Sequence, residues 1–307
     1  MSAELHVHIE GTLEPELIFA LAERNEVSLP YRDIEDLRSR YEFTDLGSFL
    51  ELYYANMQVL RTAQDFADLT RAYLARAADA GVTRAEFFFD PQAHTGRGVP
   101  LREVVDGLAD AVAGSGREFG VDAAMIASIV RDRPVQEAGE VFGELLRLHA
   151  PIIGLGLDSA EVGHPPSLFE DVFARARAEG LHVVAHAGEE GPPDYVRQAL
   201  DLLGAERIDH GIRSLEDPEL VARLVDEQVP LTVCPLSNVR LGVVNSIEDH
   251  PLRRMLDAGL LVTVNSDDPA YFGGYVDDNF AALHTGLGLT YAEHDMLVRN
   301  SLEAAFT

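Results

Sequence analysis

The chain has 307 residues, of which 47% are hydrophobic, and it carries 24 basic residues against 52 acidic ones. That length and apolar share suit a single α/β barrel with a large buried core and argue against disorder. The net charge of -28 would repel a phosphate backbone, so a nucleic-acid partner is not expected.

Every basic residue is an arginine. Schiff-base lysine chemistry, a Walker phosphate loop and a two-metal site bridged by a carboxylated lysine are therefore excluded. The single cysteine, Cys234, excludes a disulfide framework and a multi-cysteine zinc site. No apolar run reaches the ~18 residues that span a bilayer, and no basic-then-apolar leader opens the chain. No membrane partner and a cytoplasmic setting are the expectation.

In chain order, strand-like apolar runs fall near 4–8, 85–90, 121–129, 152–157, 182–187, 206–209, 230–234 and 260–265. Amphipathic helical patterns lie between them over 100–118, 135–149, 167–179, 193–203 and 216–227. This alternation predicts an α/β fold, a (β/α)8 TIM-type barrel, as one domain over 1–307. The first connection is too long for a simple crossover, at about 75 residues. It looks helical over 13–25, 31–41, 45–59 and 62–80, with Thr12 as a first N-cap and Pro15 in the first turn. A helical insertion over about 13–80 is expected to cover the barrel mouth. Phe43, Phe49, Leu52, Tyr53 and Met57 are its candidate wall residues, although ordinary helix core describes most of them equally well. The segment from Ser301 onward reads as the middle of a helix.

The strands hand polar residues to one end. His6 and His8 close the first, and at i, i+2 their imidazoles share a face. Such a pair is more often incidental than metal-binding, but here it ends a strand, with Gly11 beyond for the turn. Asp90 closes the second strand beside Gln92 and His94. His186, followed by Ala187-Gly188-Glu189, closes the fifth, and Asp209-His210 the sixth. Asp267 and Asp268 close the eighth. An Asp pair before Pro269 also describes a helix N-cap. Together His6, His8, His186 and Asp267 offer three nitrogens and one oxygen, a donor set that suits zinc.

The motifs His6-Val7-His8-Ile9-Glu10-Gly11, His186-Ala187-Gly188-Glu189, Asp209-His210-Gly211, Cys234-Pro235-Leu236-Ser237-Asn238 and Ser266-Asp267-Asp268-Pro269 occur in this order. In them the chain resembles the adenosine/adenine deaminase family of the amidohydrolase superfamily over its whole length. The resemblance implies one Zn2+ per chain on His6, His8, His186 and Asp267. It makes Glu189 the proton donor to the purine ring and His210 the group that orients and deprotonates the attacking water. Asp268 would contact purine N7. Two positions depart from the nucleoside-acting pattern. Glu10 stands where an Asp contacts ribose, and its extra methylene would push into the sugar's space. Ser159 stands near a glycine whose N–H meets purine N3, so that its hydroxyl or a nearby carboxylate such as Glu161 would meet N3 or N9. The resemblance is to the bacterial and fungal adenine deaminase branch, which implies free adenine as the small-molecule substrate and hypoxanthine and ammonia as products. Adenosine or an N6-substituted adenine is the alternative within the family, and a non-catalytic purine binder the alternative outside it.

The remaining singled-out residues carry weaker expectations. Gln92 and His94 line the pocket or sit in a solvated loop, and His164 lies on the rim. His182 is structural, and His149, His250, His284 and His294 are surface or helix residues. Cys234 is a core thiol, while Ser237 and Asn238 hold the loop after the seventh strand.

Overall fold

The structure, a computed structural model, describes residues 1–306. The apolar runs pair as parallel neighbours in strict chain order: β1 (Ser2–Glu4), β2 (Val82–Phe89), β3 (Asp122–Val130), β4 (Ile152–Asp158), β5 (His182–Ala187), β6 (Arg207–His210), β7 (Leu231–Val233) and β8 (Val262–Val264). Parallel strands covered on both faces can be apolar throughout, as β2 and β3 are toward their ends. A parallel bridge between Val7 and Asp267 joins the two edges and closes the barrel. There the His8 N–H donates to the Asp267 carbonyl at 2.9 Å, and the Asp267 N–H donates to the His6 carbonyl at 3.0 Å.

The first strand is shorter than the sequence pattern predicts. Its regular part ends at Glu4, and the His-x-His segment continues as irregular extended chain. The Leu5 N–H donates to the Asn265 side-chain oxygen at 2.9 Å, a side chain standing in for a ladder carbonyl. Single bridges to Phe88 and Asp267 then pin His8 and Val7.

Four helices fill the long first connection: α1 (Pro15–Arg24), α2 (Ile34–Arg38), α3 (Leu46–Asn56) and α4 (Ala63–Asp79). Capping boxes start α3 at Asp45 with Ser48 and α4 at Thr62 with Asp65. Thr12 does not cap α1. It lies in a 3-10 turn and donates to the Ile9 carbonyl, and the helix begins at Pro15 after Glu14. α4 packs against β2 and the helix Leu101–Glu118, the position of a barrel's own crossover helix. Contact there is close: a Cβ on Gly107 would lie 2.2 Å from the Ala63 carbonyl oxygen. The extra part over the mouth is thus α1 to α3 rather than the whole of 13–80.

At the opposite end, the last helix stops at Glu303 and the chain turns inward, so the expected mid-helix ending is not observed. Phe306 packs with Phe88, Ile126 and Val184 in the barrel interior. Its N–H donates to Glu86 at 2.7 Å, and fully buried Arg207 donates to the other Glu86 oxygen at 2.8 Å. Among the described residues, no helix is long and apolar enough to cross a membrane.

Candidate active site

The C-terminal strand ends converge on four buried groups. Oδ1 of Asp267 lies 3.3 Å from His6 Nε2 and 3.5 Å from His8 Nε2. His8 Nε2 and His186 Nε2 face each other at 3.1 Å. Two ring nitrogens that face each other lone pair to lone pair would have no hydrogen bond to make. Their separation is close to the edge of a tetrahedral shell with ~2.0–2.1 Å Zn–N bonds, which is roughly 3.3 Å. His6 Nε2 is buried with no hydrogen-bond partner. The residues present therefore fit a divalent metal ion.

Asp209, at the end of β6, sets which nitrogens face inward. The Thr232 hydroxyl donates to Asp209 Oδ1 at 2.8 Å and lies 2.9 Å from His6 Nδ1, while Asp209 Oδ2 lies 3.4 Å from His186 Nδ1. With both Nδ1 atoms turned to these acceptors, both Nε2 lone pairs point at the metal position. Burial drives the His8 pKa down to about 3, with help from the His186 charge, so His8 is neutral and ready to ligate.

Glu189 and His210 stand beside this set. His210 Nε2 is 3.5 Å from Glu189 Oε2 and 3.7 Å from Asp267 Oδ2. Burial, then the Asp267 and Glu161 charges, hold the Glu189 carboxyl protonated well above the ordinary range. Burial and the His6 charge hold His210 neutral. Burial and the adjacent Asp267 likewise raise Asp268. Glu189 and Asp268 are thus held toward the neutral, donating form and His210 toward the neutral, accepting form.

Three of its residues have left-handed backbone without being glycine: Ser159 (φ 69), His210 (φ 63) and Asp267 (φ 65). Ser159 directly follows β4 and His210 closes β6, while Asp267 lies three residues beyond β8; the break in handedness falls at the strand ends that form the mouth. Such conformations cost on the order of 1–2 kcal/mol each and cluster at functional sites.

α3 forms the lid wall. Leu46, Phe49, Leu50, Tyr53 and Tyr54 line the pocket with Phe272 and Leu241 opposite. Of the expected wall residues only Phe49 and Tyr53 do so. Phe43 packs behind Phe49, and Met57 is core. Helical spacing explains this, because 46, 49–50 and 53–54 share a face that 52 does not.

Two sequence-predicted contacts point elsewhere. The fully buried Glu10 is not among the residues that line the pocket, and its Oε1 accepts from the Asp90 N–H at 3.1 Å and from His94 Nε2 at 2.7 Å. His94 is therefore neither pocket lining nor solvated, but the buried partner of Glu10. Glu161 does not line the pocket either. Its Oε1 accepts from the Gly188 N–H at 2.6 Å, and its Oε2 from Glu189, Glu190 and Gly191 at 3.1, 2.9 and 2.7 Å. A Cβ on Gly191 would meet Glu161 at 2.4 Å, so glycine is required for this cradle.

Ser159 does line the pocket, and its hydroxyl lies 3.3 Å from the Tyr54 hydroxyl. Asp90 and Asp158 line it too, and sequence reasoning assigned neither a role. Both close strands, the same signal that picked out His186 and Asp267. Burial, then the Glu10 charge, pushes Asp90 up to about 7, and burial with Asp90 pushes Asp158 well up. Arg131, also missed, is fully buried and donates to the His186 carbonyl at 2.7 Å, fixing the end of β5. His250 is not a surface residue: it is buried and bonded to Asn238 at 3.1 Å. His182 stacks on Phe306 with ring centres 4.0 Å apart.

A parallel eight-stranded barrel whose strand ends gather imidazoles and carboxylates around one point belongs to the class of metal-dependent barrel hydrolases. More narrowly, the chain belongs to the adenosine deaminase family, whose sequence profile matches residues 2–307. It is 60% identical over 304 residues to an adenine deaminase of Streptomyces coelicolor, covering 99% of this chain and 89% of that protein. The crystal structure of an adenine deaminase from Arthrobacter aurescens is 62% identical and superposes with a TM-score of 0.99, covering 100% of this chain and 94% of that one. An amidohydrolase from Burkholderia ambifaria, crystallised with bound Zn, is 28% identical with a TM-score of 0.90, covering 100% of this chain and 85% of that one.

Proposed function

We propose that this chain catalyses the hydrolytic deamination of adenine to hypoxanthine and ammonia, with one zinc ion held by His6, His8, His186 and Asp267. The observation that carries the reading is the pairing of that donor set with a buried, protonated Glu189 beside a neutral His210. The bound zinc of the Burkholderia relative and the adenine deaminase names of the close relatives agree with it.

When bound, the metal supplies Lewis acidity that lowers the pKa of water toward neutrality. The protein groups do the rest. Carbon 6 of adenine is a poor electrophile until N1 gains a proton, and the neutral Glu189 carboxyl donates one. His210 accepts the proton of the attacking water and steadies the tetrahedral species electrostatically. Asp268, kept protonated by burial, donates a hydrogen bond to N7, which accepts in the 9H tautomer of adenine. One water adds at C6, the amino group leaves as ammonia after protonation, and the 6-oxo purine remains.

Preference for the free base rests on β4 rather than on Glu10. Ser159 keeps the left-handed backbone that suits a glycine, yet adds a hydroxymethyl bonded to Tyr54, where a sugar would need room. An absorbance assay over adenine, adenosine, N6-methyladenine and AMP tests the reading. Adenine is expected to exceed the others in kcat/KM, and a comparable value for adenosine would sink it. Metal analysis of the same protein is expected to give about one zinc per chain.

A further inference from the structure

A second cavity, of about 660 Å3, opens at the same end of the barrel over the loops that leave β2 and β3. Tyr54 and Gln58 from the insertion form one side, and Arg61, Arg97 and Arg133 converge with Asp132 on the other. Three guanidinium groups in one cavity stand out in a chain with 24 basic residues against 52 acidic ones.

They are also poorly compensated. Arg61 reaches only backbone carbonyls, those of Gln58 and Asn25, each at 3.3 Å. Arg97 donates to the His94 ring at 2.7 Å, and its buried Nε has no partner. Arg133 alone is paired, with Glu137 at 2.7 Å. The groups face one another. Burial lowers the Arg97 pKa to about 10; the nearby Glu10 charge opposes that shift and the Arg61 charge adds to it, so the two cations repel. A Cβ on Gly96 would meet both terminal nitrogens of Arg133 at 3.0 Å, which places that guanidinium against the same loop. Gly98, with φ +88, leaves open space beside it. Like charges gathered around a cavity with an unfilled N–H define an anion site, and the planar donor fork of arginine matches the oxygens of a phosphate.

We propose that this cavity binds a small phosphate-bearing anion through Arg61, Arg97 and Arg133. The site is separate from the metal cluster but joined to it in two ways. Tyr54 is a wall of both pockets and lies against Ser159. Arg97 also bonds His94, which bonds Glu10, which accepts the N–H of the pocket residue Asp90. The proposal concerns binding and stands independently of which purine is turned over.

The test is calorimetric titration of the metal-loaded protein with inorganic phosphate and, separately, with ribose 5-phosphate. Arg61→Gln and the double variant Arg61→Gln/Arg133→Gln serve as probes, because these two side chains lie toward the surface and their loss leaves the part-buried Arg97–His94 bond in place. Arg102→Gln, on an exposed helix position, is the control. Saturable binding that weakens about tenfold or more in the double variant, with metal content and Tm unchanged, is the expected result. Tighter binding of ribose 5-phosphate would identify a phosphate ester as the ligand, and equal binding the free ion. No saturable binding up to about 10 mM, or equal affinity in wild type and double variant, would overturn the proposal. The second of these outcomes would place the anion on the metal instead.

Discussion

Glu161 holds the backbone of Glu189. One carboxylate accepts the Glu189 N–H at 3.1 Å and those of Gly188, Glu190 and Gly191 on either side. The proposed proton donor is therefore aimed by a residue 28 positions earlier in the chain. Substituting Glu161→Gln puts an NH2 group against N–H donors at one end of the cradle. We expect kcat to fall about tenfold to a hundredfold, with KM and metal content little changed. Parallel losses in kcat and metal content would instead mark a general structural role.

Glu189→Gln removes the donated proton but keeps the shape. Turnover is expected to fall by roughly 10²–10⁴-fold with zinc retained. On the proposed role the active form in the wild type is the protonated acid, and its folded pKa lies above the ordinary value. The sign follows: kcat/KM holds at neutral pH and declines as pH rises through that raised pKa. A profile that instead rose steadily across the alkaline range would contradict the assignment.

Asp209 does not line the pocket, yet it faces the Nδ1 atoms of two proposed ligand histidines, 3.8 Å from His6 and 3.4 Å from His186. Asp209→Asn should weaken zinc binding about 10–100-fold, as read by competition with a chelator. Activity should return on adding excess zinc. Failure of zinc to restore it would show that Asp209 does more than orient imidazoles.

Ser159→Gly should relieve left-handed strain and open the wall at one stroke. Stability to urea is expected to rise by about 1 kcal/mol or less. The ratio of adenosine to adenine kcat/KM should rise as well. An unchanged ratio would remove Ser159 as the sugar-excluding residue.

Glu10→Asp separates the two accounts of that residue. If Glu10 crowded the ribose, the shorter side chain would admit adenosine. Because it instead accepts from the Asp90 N–H and His94 in a fully buried position, the expected result is a lower Tm and an unchanged substrate preference.

The barrel and its cluster of histidines and carboxylates were legible in the sequence because period and strand-end chemistry are local signals. His6 and His8 share a face by the period of a strand, and His186, Asp209 and Asp267 each close an apolar run. What the sequence hid was direction. Glu10 and Glu161 are carboxylates near the mouth, and nothing in their neighbourhood of the chain says that each turns to the backbone of a different loop. Asp90 and Asp158 carried the strand-end signal but lacked a motif partner. The insertion was recognised as helical, yet assigning α4 to it missed that the segment packs on β2 and on the helix Leu101–Glu118, a relation between distant residues.

The left-handed backbone at Ser159, His210 and Asp267 sets a limit on improving this protein. A glycine at any of the three would relax the chain, and at His210 or Asp267 it would delete a side chain of the proposed catalytic site. The sequence that would make this barrel most stable is therefore not the sequence that makes it a catalyst, and screens for heat resistance should drift toward silent enzymes at these positions.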